Sequence, residues 1–283
     1  QAMFWTSEIR PVALIAGGLL FGIGMVLAGG CISRLLVLAA SGNARSWITL
    51  LIAATAAYAT LRGIFSYPRI WLENVWNSET NAIGLFGDGN GQLIAVMFVT
   101  LVILLLVFAT RLRFGSAISG KPVAAGALVG LLVVGGWLIT GVVGFDEFEP
   151  TPMTSLSFVA PLGESLQFLM IFTGDTFRFS IALVTGVLVG ALISSIVGGR
   201  FEFRGFTDEG SVLRYASGGV LMGFGGVTAL GCTIGQGLSG VSTASPASMV
   251  AITAIVGGAF ATMRWQHRVG SASTSDIASA MAE

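Results

Sequence analysis

Two cysteines, Cys31 and Cys232, are the only thiols of this 283-residue chain, and each ends a copy of one glycine-rich segment. The first copy reads GGLLFGIGMVLAGGC (17–31), and the second reads GGVLMGFGGVTALGC (218–232). The copies align without a gap at an offset of 201 residues, and nine of the fifteen positions are identical. The chain therefore contains an internal repeat in which each copy presents one thiol from the same local structure.

The surroundings of these thiols favour an anion site over two ordinary buried cysteines. A lone cysteine in an apolar helix is usually a small, soft hydrophobic residue. Here each thiol follows a glycine, Gly30 or Gly231, which lets backbone or ligand approach closely. If 31–43 and 232–244 are short helices that begin near the thiols, their N-terminal amides and positive dipole ends attract anions. We therefore predict a central site at Cys31 and Cys232.

Four further residues are candidates for the same path. Arg34 follows the first thiol, and it is either part of an anion-attracting vestibule or a side chain that reaches the lipid headgroups. Thr233, Gly235 and Gln236 follow the second thiol, and they either line the path or satisfy the backbone of a broken helix.

The chain offers little for metal or acid–base chemistry. With one histidine and two distant cysteines it has no zinc-ligand spacing, so we expect no metal and no cofactor. No catalytic acid–base pair falls within an apolar segment, so we do not expect an enzyme.

The composition predicts an integral membrane protein. Mean hydropathy is +0.87, and 54% of the residues are hydrophobic. Only 10% are charged, where soluble domains carry about 25%. The net charge is zero and no basic run is present, so a lipid bilayer rather than nucleic acid is the expected partner.

The apolar segments predict an all-α, polytopic fold with about seven transmembrane helices, because a bilayer core requires about 20 apolar residues per helix. Segments 31–43 and 232–244 should be short broken helices, and 151–173 should be interfacial or re-entrant. We predict a single membrane domain over 1–265, with halves at about 11–145 and 150–265, and a disordered cytoplasmic tail over 266–283. The seven predicted spans are 12–30, 46–65, 92–110, 122–143, 177–198, 213–231 and 246–263.

Loop charges predict the orientation through the excess of Lys and Arg on the cytoplasmic side. The acidic loop that carries Glu73, Glu79 and Asp88 should lie outside, as should the acidic segment 146–149. Counting spans backward from a cytoplasmic C-terminus then gives an outside N-terminus. The two repeat copies then run in opposite directions, and inverted repeats place substrate sites near the midplane, where helices are broken. The basic residues assigned to the cytoplasm are Arg111, Arg113, Lys121, Arg200, Arg204, Arg214, Arg264, His267 and Arg268.

The paired motif G-G-x-L-x-G-x-G…G-C, together with SLSFVAPLGESLQFLM (155–170), resembles the YeeE/YedE family of membrane proteins. The resemblance implies uptake of sulfur compounds across the inner membrane of a prokaryote. The best-known member imports thiosulfate along an hourglass-shaped path lined by cysteines, through transient S–H···S hydrogen bonds. The resemblance assigns the motif thiols to Cys31 and Cys232, and it suggests a soluble cytoplasmic sulfur-carrier protein as a partner.

Two departures from the family pattern leave the cargo open. The thiosulfate importer uses an additional cysteine that this chain lacks, and Arg34 stands where the second copy has Gly235 in its G-C-x-x-G. We therefore expect a transporter for a small sulfur-containing anion such as thiosulfate or sulfite, with a persulfide or a related selenium species still open. The alternatives are a membrane-embedded thiol redox or sulfur-relay protein and a passive channel for a small solute.

Overall fold

The structure, a computed structural model, describes residues 10–75, 120–143, 154–174, 176–203, 205, 209–243 and 245–280. Every regular element in these residues is helical, as the sequence predicts. The predicted span 92–110 lies outside the described residues, as do the acidic segment 146–149 and two residues of the predicted acidic loop, Glu79 and Asp88. The third residue of that loop, Glu73, lies in a helix, Ser66–Asn74, rather than in a loop.

Nine α-helices follow one another along the described parts of the chain. A π-helical turn, Ile139–Val143, continues α5, and a 3-10 turn, Phe172–Gly174, follows α6. A third irregular helix, the π-helix Gly235–Gly240, precedes α9. The α-helices are α1 (Pro11–Leu27), α2 (Ile32–Ala40), α3 (Ala44–Arg62), α4 (Ser66–Asn74), α5 (Gly120–Leu138), α6 (Val159–Met170), α7 (Phe179–Val197), α8 (Glu209–Thr228) and α9 (Pro246–Ala280).

Within the described residues, five stretches rather than seven are long and apolar enough to cross a membrane. They coincide with five of the predicted spans, and the first of them also includes the short helix predicted at 31–43. The predicted span 213–231 forms α8, but α8 is not among the five, since its glycines and serines dilute its apolar residues. The five stretches are Pro11–Ala40, Ala44–Arg62, Val123–Val142, Phe179–Val197 and Pro246–Arg268.

Two of these helices, α5 and α7, present large apolar side chains to the outside of the bundle, such as Leu131 and Ile193. Exposed apolar surface on long apolar helices is typical of contact with lipid, which agrees with a multi-pass membrane protein. The last helix, α9, continues past the predicted span into the segment predicted as a disordered tail, where the backbone is helical up to Ala280.

Helix α4 is an element that the sequence analysis missed. It follows Gly63 at the end of α3, and none of its residues is buried. Its acidic residue Glu73 forms ion pairs with Arg10, at the start of α1, and with Arg69, whose Nε lies 3.4 Å from a carboxylate oxygen of Glu73. The ion pairs tie this exposed helix to the beginning of the bundle.

The centre of the bundle is α1, which packs between α8 and α9, while α8 also packs against α3. Glycines permit this close approach. A Cβ atom on Gly17 would lie 2.6 Å from the Ala229 nitrogen, and one on Gly24 would lie 2.7 Å from the Gly218 oxygen. Because the earlier residue of α1 meets the later residue of α8, the two repeat helices run antiparallel. Contact through small residues is a usual packing mode inside membranes.

An irregular segment over residues 154–158, in which Ser155 and Phe158 are buried, leads into α6. The Ser155 hydroxyl donates to the Val133 carbonyl of α5 at 2.7 Å, and the Ser239 hydroxyl donates to the Leu156 carbonyl at 2.8 Å. Helix α6 has 12 residues, about 18 Å, which is too short to cross a bilayer. Its first turn is buried, whereas its end, at Leu169 and Met170, is exposed.

Candidate functional site

Each glycine helix ends in the same turn, a Schellman motif. In the first copy, the Gly30 nitrogen donates to Met25 O at 3.0 Å and the Gly29 nitrogen donates to Val26 O at 3.3 Å. The second copy repeats this pair of bonds: Gly231 N donates to Gly226 O at 2.8 Å, and Leu230 N donates to Val227 O at 3.1 Å. The repeat therefore encodes a helix stop directly before each cysteine.

The turn requires a left-handed residue, and both copies supply one at the matching position. Gly29 has a φ of 74°, and Leu230 has a φ of 59°. Leu230 is the only residue other than glycine with a positive φ among the described residues. A side chain in this conformation costs about 1–2 kcal/mol, so the second junction keeps its turn despite the unfavourable residue.

Each thiol then precedes a new helix, as the sequence predicts. Cys31 is the N-cap residue of α2, with extended backbone (φ −73°, ψ 164°). Cys232 precedes a helical stretch over residues 233–242 that contains the π-helix Gly235–Gly240. Both thiols thus lie where unpaired backbone N–H groups and the positive end of a helix dipole are found.

Backbone amides surround the Cys232 sulfur. The Gly235 nitrogen donates to Sγ at 3.3 Å, and the amides of Ile234 and Phe158 lie close to this atom. Phe158 is the N-cap residue of α6, so two helix N-termini converge on the sulfur. Cys232 is 1% exposed. Backbone N–H groups at a helix start can donate to an anion or another acceptor atom beside the sulfur.

The start of α6 lies close to both the second glycine helix and Cys232. Val159, next to Phe158, packs against Gly226, where a Cβ would lie 2.6 Å from its Cγ2. Both cysteines are free thiols, and Cys31 is one of the groups whose charge acts on Cys232. That the two thiols line one site stays a prediction.

Cys31 has a more open environment than Cys232. Its sulfur lies 3.1 Å from the Ser33 hydroxyl, and the residue is half-buried. Arg34 packs its stem on Gly30, where a Cβ would lie 3.0 Å from the arginine Cδ. The Arg34 side chain is exposed, and it has no hydrogen bond or ion pair with any residue that the structure describes.

The remaining predicted residues surround Cys232. Gln236 packs on Gly231, where a Cβ would lie 3.2 Å from the glutamine Cγ. Gln236 Nε2 donates to Ala229 O at 2.6 Å, which ties the helix after the thiol to the turn before it. Gly235 is buried and Thr233 is half-buried. Gly30, Gly231, Gly235 and Gln236 therefore shape the two junctions, whereas a direct role for Thr233 stays a prediction.

The sequence analysis missed the contribution of residues 157 and 158. Ser157 lies against Gly235, where a Cβ would be 2.9 Å from the serine Oγ. The Phe158 amide points at Cys232 from a helix far away in the sequence. The breaks at Pro161 and Gly163 indicated an irregular element, but no sequence pattern linked that element to the thiol.

The described residues hold no group of three or more His, Cys, Asp or Glu side chains that could bind a metal ion. The apolar helices, and two helices that each stop directly before a thiol, are the features of a multi-pass membrane protein.

The chain belongs to the family described as Sulphur transport, whose sequence model matches residues 1–261. This family is the YeeE/YedE family, so the resemblance drawn from the two motifs is confirmed. It is a family of transporters and not of enzymes.

Two relatives support the assignment. The chain is 28% identical over 287 residues to "Thiosulfate transporter TsuA" of Spirochaeta thermophila, a match that covers 92% of this chain and 78% of the relative. It is 30% identical over 244 residues to "Thiosulfate transporter TsuA" of Escherichia coli, which covers 79% of this chain and 66% of the relative. The chain thus spans slightly less than two thirds of the second relative.

Proposed function

We propose that this protein moves a small sulfur-containing anion across the membrane, along a narrow path between Cys31 and Cys232. The observation that carries the proposal is the repeated junction, in which a Schellman turn stops a helix and a thiol precedes the next one. Amides and helix dipoles attract the anion without holding it as tightly as a fixed charge would. A thiol can donate an S–H hydrogen bond to a sulfur or oxygen atom of the cargo.

The path would lie between two inverted halves. Gly17 meets Gly225 and Gly24 meets Gly218. In the repeat, Gly17 corresponds to Gly218 and Gly24 corresponds to Gly225, so each contact is the repeat equivalent of the other. The next helices out are related in the same way. Gly22 and Gly223 match in the repeat, and Gly22 packs on Ile255 of α9, while Gly223 packs on Ala53 of α3. A pseudo-two-fold axis in the membrane plane accounts for both observations and would place the site near the midplane.

The charges at the two ends of the bundle support a cytoplasmic C-terminus and an outside N-terminus. Arg214 Nε donates to Leu27 O at 3.1 Å, so the start of α8 lies beside the end of α1. The packing of α9 on α1 carries Arg264 and Arg268 toward this same end. The positive-inside rule would then place this end in the cytoplasm. We propose the inner membrane of a prokaryote as the location and a cytoplasmic sulfur carrier as a partner.

Thiosulfate is the first cargo to test, because it appears in the names of both relatives. The purified full chain in liposomes should take up [35S]thiosulfate faster than protein-free liposomes. Excess unlabelled sulfite should compete if the site accepts several sulfur anions, and excess sulfate should compete less because it has no polarisable sulfur terminus. If liposome swelling in a neutral solute is rapid and uptake of thiosulfate is not, a passive channel replaces the transporter.

The sulfur-relay alternative predicts covalent chemistry at the thiols. After incubation with thiosulfate, intact-mass measurement of the protein should show no added sulfur if the cargo passes through hydrogen bonds alone. A mass increase of one sulfur atom on Cys31 or Cys232, with release of sulfite as the S–S bond of thiosulfate breaks, would favour the relay.

Arg34 supplies a further prediction. It is exposed beside Cys31, so in the proposed path it attracts the anion on one side of the site. Arg34→Gln should slow thiosulfate uptake several-fold at low salt and less at high salt, because salt screens electrostatic steering. The control is Arg62→Gln, at the end of α3, which should leave the salt dependence unchanged. An unaltered rate in Arg34→Gln at low salt would favour the alternative in which Arg34 contacts lipid headgroups.

A further inference from the structure

Two buried oxygens beside the π-helix have no hydrogen-bond partner among the described residues. They are Gln236 Oε1 and Ser248 Oγ, and their residues are 1% and 0% exposed. Both border the same point: a Cβ on Gly240 would lie 3.0 Å from Gln236 Oε1 and 2.2 Å from Ser248 Oγ. An unpaired buried polar atom usually indicates a bound water or ion, or a functional role.

The orientation of the Gln236 side chain is fixed rather than arbitrary. Its Nε2 donates to Ala229 O, and the opposite assignment of the amide would set two oxygens against each other. Oε1 must therefore face Gly240 and Ser248. An amide oxygen only accepts hydrogen bonds, so its missing partner must be a donor or a cation.

The fold does not require a polar residue at this position. Leu35 N donates to Cys31 O at 2.9 Å, and Gln236 N donates to Cys232 O at 2.8 Å, so these two residues match in the repeat. Leu35 is 2% exposed. The first copy thus buries a hydrophobic side chain where the second buries an unpaired amide oxygen, which costs about 1–3 kcal/mol. Packing explains Leu35, and the bond of Nε2 to Ala229 O explains one end of the Gln236 amide, but nothing among the described residues explains its unpaired Oε1.

The backbone next to Gln236 also differs between the copies. Gly18 packs on Ala251 and Ala254, whereas Gly219 packs on Thr49 and Ile52. Ala251 of α9 thus corresponds to Thr49 of α3, an offset of 202 residues, whereas the two thiols are 201 residues apart. The second copy therefore has one extra residue between Cys232 and α9, in the stretch that contains the π-helix. Such π-helical turns are frequent at functional sites. The same offset makes Ser46 the counterpart of Ser248.

We propose that Gln236 Oε1 and Ser248 Oγ are ligands of a sodium ion bound beside the π-helix. Both oxygens are uncharged, and the described residues contain no cluster of carboxylates for a divalent cation. A monovalent cation matches this ligand set, and Na⁺ sites occur at broken helices in other transporter folds, where backbone carbonyls supply ligands. The role of this ion rests on the proposed transport of a sulfur anion. Na⁺ bound at Gln236 and Ser248 compensates the negative charge of the cargo at Cys232.

The experiment measures thermal unfolding of the purified full chain in detergent at constant ionic strength, with NaCl replaced stepwise by KCl or choline chloride. A ligand that binds only the folded state raises the midpoint as its concentration rises, by roughly 5 °C at 100 times its dissociation constant. We expect a saturable rise in Na⁺ that choline does not reproduce. A midpoint that is the same in all three salts overturns the proposal, and it would mean that a water occupies the site.

Variants copied from the first half of the chain separate binding from folding. Gln236→Leu introduces the residue found at the matching position, so it should fold, and it should lose the response to Na⁺. Ser248→Ala should weaken the response, whereas Ser46→Ala, its counterpart in the first half, should retain it. A full response to Na⁺ in Gln236→Leu overturns the assignment of the ligands.

Uptake assays then distinguish the sodium site from the proposed cargo. Thiosulfate uptake that is faster in Na⁺ than in K⁺, with the difference lost in Gln236→Leu, supports coupling at this site. Uptake at equal rates in both salts overturns the coupling and leaves the transport of the anion standing. A rise of the unfolding midpoint in Na⁺ without any sulfur-anion uptake supports the sodium site and overturns the proposed function.

Discussion

Cys232→Ala should lower the initial rate of thiosulfate uptake by roughly 10- to 100-fold, because a hydrogen bond to a charged group contributes about 1.5–3 kcal/mol. The substitution removes the sulfur that faces the amides of Gly235, Ile234 and Phe158. Alanine is close in size to cysteine, so the fold should survive. The measurement is [35S]thiosulfate uptake into proteoliposomes that contain equal amounts of folded protein.

Cys31→Ala and the serine variants complete this test. Cys31→Ala should also slow uptake, because the proposed path passes both thiols. Cys232→Ser keeps a hydrogen-bond donor, and it should retain more activity than Cys232→Ala. If the double variant Cys31→Ala, Cys232→Ala took up thiosulfate at the wild-type rate, the thiols would have no role in transport.

Gly22→Ala should prevent the bundle from assembling. The added Cβ would lie 2.2 Å from the Ile255 carbonyl oxygen and 2.8 Å from the Ala259 nitrogen, and these are backbone atoms that cannot rotate away. The two helices would have to separate, and α1 is the centre of the described bundle. Overpacking of this kind costs about 1–3 kcal/mol or more. We expect aggregated protein on size exclusion, or an unfolding midpoint lowered by several degrees.

The matched control is another glycine of a membrane helix. A Cβ atom added to Gly190 in α7 would meet no described atom within 4 Å. Gly190→Ala should therefore leave the unfolding midpoint unchanged or raise it slightly through better helix propensity. Equal stability of Gly22→Ala and Gly190→Ala would contradict the close contact of α1 with α9.

The sequence predicted the parts of the site that local chemistry determines. The stop before Cys31 follows from Gly29 and Gly30, and the helix after it follows from an apolar run with no further glycine. Five membrane stretches were predicted because hydropathy alone identifies them. The antiparallel course of α1 and α8 agrees with the directions that loop charges predict for the two motifs.

The other features of the site and the fold depend on contacts between residues that are far apart in the sequence, and no sequence pattern predicts these contacts. The Phe158 amide reaches Cys232 only because Ser239 and Ser155 hold residues 154–158 inside the bundle. Leu230 adopts a left-handed conformation that its residue type disfavours, and the tertiary packing keeps it there. Helix α8 is poor in apolar residues by composition, yet its neighbours bury it, and this burial compensates for its low hydropathy.

The glycine contact between α1 and α8 has a consequence for how the gene can vary. Gly17 faces Gly225, and Gly24 faces Gly218, and a Cβ on any of the four would meet backbone atoms of the other half. No change of side chain in the partner helix can make room for it, because the partner is already glycine. Among natural variants, these four positions should therefore stay glycine, whereas the lipid-facing glycines of α5 and α7 should vary.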